Sequence, residues 1–165
     1  MITIAVEELL DYSDHERRRW QQWLSSDRSR LQIPLQGTGR FPTAVSLLDH
    51  IFLVERRHLA RLEGGTPPDS TGCPPDDPAA LFEYGALVRK DLRRYVADID
   101  DAGAAEPMTV KLQGGAYGMQ RRQLVVHMLL HEVRHLAQLA LAARLAGLAP
   151  PGEHDFFYFA SSQTV

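Results

Sequence analysis

Three histidines stand at four-residue intervals in the run Gln123-Leu-Val-Val-His-Met-Leu-Leu-His-Glu-Val-Arg-His-Leu-Ala-Gln: His127, His131 and His135. On an α-helix each residue turns the chain by ~100°, so steps of four leave successive rings only ~40° apart, one turn above the next. Leu124, the three histidines, Gln138 and Ala142 therefore share one stripe. Neutral imidazole is a borderline-soft ligand, suited to zinc, nickel, iron or copper. Burying several unpaired imidazoles on an apolar helix is costly, and a shared cation offsets that cost. One helix rarely completes such a site, so a further ligand should come from a neighbour. His50, among Leu47, Ile51 and Val54, lies at the border of a second apolar stripe and is the natural candidate.

The same run contains a literal His-Glu-x-x-His, His131 to His135, in which Glu132 would be the general base of a zinc peptidase. The expected downstream ligand is missing: position 141 is Leu, and Glu153 falls in a Pro/Gly segment. The peptidase reading is therefore the weaker one. Glu132 stays a candidate catalytic base, although ~100° from His131 it is first of all a polar neighbour. Asp49 and Glu55 read as surface carboxylates. His58, rotated ~80° from His50, reads as solvated.

Four long helical segments can position these residues. The first spans about 4–24, with Val6, Leu9, Leu10, Trp20, Trp23 and Leu24 apolar around a polar centre at 14–19. Residues 25–40 read as a connection. The second helix starts near Pro42 and stops at Gly64-Gly65, in keeping with the preferences of helix ends. Five prolines and three glycines between Gly64 and Pro78 require a loop. A third helix covers about 78–99. Met108 to Leu112 alternates weakly ahead of the turn Gly114-Gly115-Ala-Tyr-Gly118, which allows a short strand or hairpin. The last long helix covers about 119–145. The apolar tail Asp155-Phe-Phe-Tyr-Phe159 is expected to pack on the bundle or on a second subunit. The expectation is an all-α four-helix bundle, one domain over residues 1–165, with its site between facing helices.

Composition narrows the function. Eighteen basic and 21 acidic residues give a formal charge of −3, so nothing indicates a nucleic-acid surface. Arg17-Arg18-Arg19 reads as the solvated face of the first helix. A lone Cys73 excludes an internal disulfide and suits a reducing compartment. No amino-terminal signal or membrane-length apolar stretch is visible, so a cytoplasmic, soluble protein is expected.

The segments Leu47-Leu-Asp-His-Ile-Phe-Leu-Val-Glu-Arg-Arg and Val126-His-Met-Leu-Leu-His-Glu-Val-Arg-His-Leu-Ala-Gln resemble the DinB-like family of bacterial four-helix bundles. That family includes YfiT-type hydrolases and bacillithiol- or mycothiol-dependent transferases. The resemblance implies that His50, His131 and His135 bind a divalent metal, zinc or nickel. It places His127 and Gln138 beside the metal rather than on it, and it implies a homodimer. It covers both hydrolysis and transfer of a low-molecular-weight thiol to a small-molecule substrate. For an acidic thiol, Arg57 and Arg61, ~20° either side of His50's direction, are candidate contacts. The competing expectation is a metal-binding stress-response or interaction module without turnover, marked by an exposed apolar tail and an exposed patch around Trp20 and Trp23.

Overall fold

The computed structural model describes residues 5–35, 40–112 and 114–162. Four long helices run through it: α1 (Val6–Ser25), α2 (Ala44–Leu62), α3 (Pro78–Asp98) and α5 (Arg121–Leu145). Between α3 and α5 lie the short helix α4 (Asp101–Ala105) and an antiparallel hairpin of β1 (Pro107–Leu112) and β2 (Gly115–Gln120), and helix α6 (Phe156–Ser162) follows α5. Bundle and hairpin agree with the sequence; α4 and the 3-10 turn Arg28–Gln32 are additions to it. Residue 4, the expected first helical residue, and residues 36–39 of the first connection lie outside the described residues.

Helix ends follow local chemistry. Pro78 opens α3 behind Asp77, whose side chain accepts from the Ala80 amide. Gly147 closes α5 at φ +75°, and the Leu148 amide returns to the Ala143 carbonyl. α2 packs on α3 and α5, and α1 packs on the same two helices. α2 is thus covered on both flanks, which is why 12 of its 19 residues are buried.

The core has two apolar halves. One gathers Trp20, Leu24, Ile51, Phe52, Phe82 and Leu136; the other gathers Leu10, Leu59, Leu92, Val125 and Leu129. Between them in sequence, each long helix contributes charge or polarity to one buried layer. Ser13 and Arg17 come from α1, Glu55 from α2, Arg89 from α3 and Glu132 from α5. Arg17 donates to Glu55 and to both oxygens of Glu132, while Arg89 donates to Glu55 at 2.8 Å and to Glu132 at 2.7 Å. Two positive and two negative groups balance here, the condition under which a buried ionic group is tolerated. Burial alone would raise the Glu132 pKa, but the Arg17 and Arg89 guanidiniums hold it well below the usual carboxylate range. Burial would likewise lower the pKa of Arg89, and the facing carboxylates of Glu55 and Glu132 more than reverse that.

Two expectations are corrected by this layer. Arg17 is not on the solvated face, and Glu55 is not a surface carboxylate: they are 7 % and 4 % exposed. The tail packs back on the bundle, with Phe156 and Phe159 against Tyr12 and the His154 ring stacked on Trp20. Trp20 is fully buried and Trp23 partly buried against the core, so no apolar patch forms around Trp20, while Phe157 and Tyr158 of the tail stay exposed. No helix among the described residues is long and apolar enough to cross a membrane.

Candidate metal centre

The drift of ~40° per four residues decides how each histidine of α5 meets the bundle. His127 is exposed, His131 half-buried and His135 buried, as the stripe winds from solvent toward α2. Gln138, ~60° back from His135 on the solvent side, is exposed again. His50 reaches across from α2. Its Nε2 lies 3.2 Å from Nε2 of His131, which is 3.1 Å from Nε2 of His135. One ligand nitrogen from each of the three rings lies within 4.8 Å of the others.

Hydrogen bonding alone does not satisfy this arrangement. Nε2 of His131 carries either one proton or one lone pair, yet it faces two other Nε2 atoms at bonding distance. His135 Nδ1 meets Oε1 of Gln138 at 2.6 Å. With that oxygen accepting, Nδ1 holds the proton and Nε2 turns a lone pair toward the cluster. The pattern of a ligating histidine oriented by a polar neighbour is common at metal sites. Burial pushes the pKa of His131 down to about 3, with His135 and His50 adding to it. Burial and the neighbouring His135 push His50 down to about 4. His135 is also lowered by burial, partly countered by its bond to Gln138. Neutral imidazoles are the form that binds metals. Separations of 3.1 and 3.2 Å are close to the ~3.4 Å edge of a tetrahedron built on zinc–nitrogen bonds of about 2.05 Å. The residues present therefore fit a divalent ion.

A cleft of about 590 Å³ opens beside the cluster, lined by the three histidines, Gln138, Arg40 and Arg134, with Leu35, Phe41, Leu141 and Leu145 as apolar walls. Among the described residues no Asp or Glu lines it. The carboxylates considered as bases are occupied elsewhere. Glu132 and Glu55 belong to the buried layer, and Asp49 accepts from the Thr71 hydroxyl. Glu132 follows His131 in sequence but projects into the core, so it offers no free carboxylate to the cleft.

Two further expectations fail geometrically. Arg57 and Arg61 share His50's azimuth, but they are ~10 and ~16 Å further along the helix axis. There Arg57 donates to the carbonyls of Pro68 and Asp69, tying down the α2–α3 loop, and Arg61 meets Nδ1 of His58. Neither lines the cleft. His58 is buried rather than solvated, since α5 covers that flank of α2; its ring lies 5.5 Å from that of His127. Burial, with help from Arg61, lowers its pKa to about 4. His127 does not line the cleft and sits 5.8 Å from the His131 ring.

The bundle and its convergent imidazoles define an all-α protein with a three-histidine cluster at the seam of two helices. The chain belongs to the DinB superfamily, whose family model matches residues 32–139. The match takes in His50, His131 and His135. No curated protein matches the chain.

Proposed function

We propose that the protein is a metal-dependent enzyme acting on small molecules, and that transfer of a low-molecular-weight thiol is its reaction. The observation that carries this reading is the open cleft over three convergent imidazoles with no described carboxylate in its lining. His50, His131 and His135 would hold the ion. Zinc or nickel bound there supplies a Lewis acid able to favour the ionised form of a thiol. Gln138 fixes the tautomer of His135, and the buried layer holds the register of α5 against α2. A water nucleophile is helped by a general base, and the lining offers no free carboxylate for that role. A thiol, with an ordinary pKa of about 8.5, ionises without one. Its proton leaves to solvent, the sulfur forms a bond to an electrophilic carbon, and the leaving group departs with the electron pair. An open cleft also favours an enzyme over a closed, non-catalytic metal module. The homodimer implied by the family stays part of this proposal and is read by sedimentation of the purified chain.

The test is an assay of zinc- and nickel-loaded protein with small thiols and a panel of electrophiles, beside a panel of esters and amides. Thiol consumption that needs the loaded metal supports the proposal. Ester or amide cleavage independent of thiol replaces it with a hydrolase, and inactivity on both panels favours the module without turnover.

A further inference from the structure

The lining of the cleft says more about its ligand than about its reaction. Arg40 and Arg134 are both exposed and border the imidazole cluster. The Arg40 guanidinium lies over the Phe41 ring at 5.5 Å, and among the described residues neither arginine forms an ion pair with a carboxylate. Elsewhere Arg17, Arg89 and Arg93 pair with Glu55, Glu132 and Asp14. A chain with a formal charge of −3 thus keeps a positive island at this cleft, which attracts and concentrates anions. About two and three turns beyond Arg134 on the same face of α5, Leu141 and Leu145 are 56 % and 68 % exposed, an apolar wall that water covers poorly. Among the described residues neither a lysine nor the first turn of a helix lines the cleft. Guanidinium forks match a planar carboxylate, and among the described residues no helix N-terminus supplies the backbone cradle usual for a phosphoryl group.

We propose that this cleft selects organic carboxylates, with Arg40 and Arg134 holding the anionic end and Leu141 and Leu145 receiving an apolar body. The proposal rests on this cleft being the substrate site and names the class of molecule it takes. It moves the recognition role from Arg57 and Arg61 to two arginines that the fold brings to the histidines.

Calorimetric titration with hexanoate, hexanamide and inorganic phosphate tests it, first on metal-stripped protein and then after zinc loading. Hexanoate should bind the stripped protein about tenfold tighter than hexanamide, the range of a charge-assisted contact, and tighter than phosphate. Arg40→Gln and Arg134→Gln should each weaken hexanoate severalfold, and the double variant should lose the preference. Zinc content of the double variant should match the parent, which shows that the fold and the histidines are intact. Equal affinity for hexanoate and hexanamide, binding of neither, or a preference retained in the double variant overturns the proposal; tighter phosphate binding reassigns the site to phosphoryl groups and overturns it equally. Because the stripped protein is titrated first, failure of the metal reading appears as absent zinc loading and stays separate from failure of carboxylate selection.

Discussion

Glu132→Gln removes one charge from the buried layer without changing its shape. In the native protein the Glu132 carboxylate accepts from Nε of Arg17 at 2.5 Å, Nη2 of Arg17 at 3.0 Å, Nη2 of Arg89 at 2.7 Å and the Ser13 hydroxyl at 2.5 Å. The amide leaves two buried guanidiniums with Glu55 as their one fully buried carboxylate, Arg89 keeping Asp14 at the edge of the layer at 2.8 Å, and its NH2 group points a donor at donors. Breaking a buried pair costs about 3–5 kcal/mol, a large share of the roughly 5–15 kcal/mol that holds a domain of this size. At roughly 2–4 °C per kcal/mol, the melting temperature should fall by about 6–20 °C. Urea titration and thermal melts at pH 7 read both quantities. The paired replacement Arg17→Met with Glu132→Leu restores charge balance between Arg89 and Glu55, and it should cost less than Glu132→Gln alone. A change below about 1 kcal/mol, the scale of an exposed ion pair, would refute the reasoning. So would a paired variant less stable than the single one. A catalytic base would give the opposite pattern: lost turnover with stability preserved.

Three other outcomes follow from the geometry. Gln138→Ala frees the His135 tautomer and should weaken zinc about 10–100-fold in a competition titration with a chelating dye; unchanged affinity would remove Gln138 from the site. Folded-state pKa values of about 4 for His50, about 3 for His131 and about 4 for His58 lie below the ordinary 6.5. The unfolded chain therefore binds more protons below pH 6.5, and stability should fall as pH drops from 6.5 toward 4. Urea midpoints of metal-free protein across this range should report proton uptake on unfolding to which these three rings contribute about one proton each, with His135 and His127 adding in the same direction. A flat profile would contradict the burial of these rings. At Gly85 an added Cβ would sit 2.9 Å from the Phe52 ring; Gly85→Ala should thus destabilise by about 1–3 kcal/mol in the same assay, and a neutral result would show that the ring can move aside.

The bundle was legible because apolar residues recur at helical spacing and the connections are full of proline and glycine. The histidine stripe was legible because its spacing is a property of one helix. The buried layer was not, since a charged residue read singly belongs to the solvated face. A signal for it was nevertheless present. Leu10, Ser13, Arg17, Trp20 and Leu24 follow the three-four spacing of a packed seam, as do Leu48, Phe52, Glu55, Leu59 and Leu62. Phe82, Gly85, Arg89 and Leu92 repeat it, and so do Leu129, Glu132, Leu136 and Leu139. In each series a charge occupies a core position, and the four charges sum to zero. The role given to Arg57 and Arg61 failed because azimuth ignores distance along the axis. Arg40 could not have been placed from sequence, since the long-range bridge between Pro34 and Thr43 fixes its segment against the cleft.

The central claim is that imidazoles from α2 and α5 share one ion. Plasma-emission metal analysis of purified protein, loaded with zinc and dialysed, tests it most directly beside His50→Ala, His131→Ala, His135→Ala and His127→Ala. The account predicts about one zinc per chain in the parent and in His127→Ala, and near none in the other three. Full zinc content in any of those three, or complete loss in His127→Ala, would contradict it.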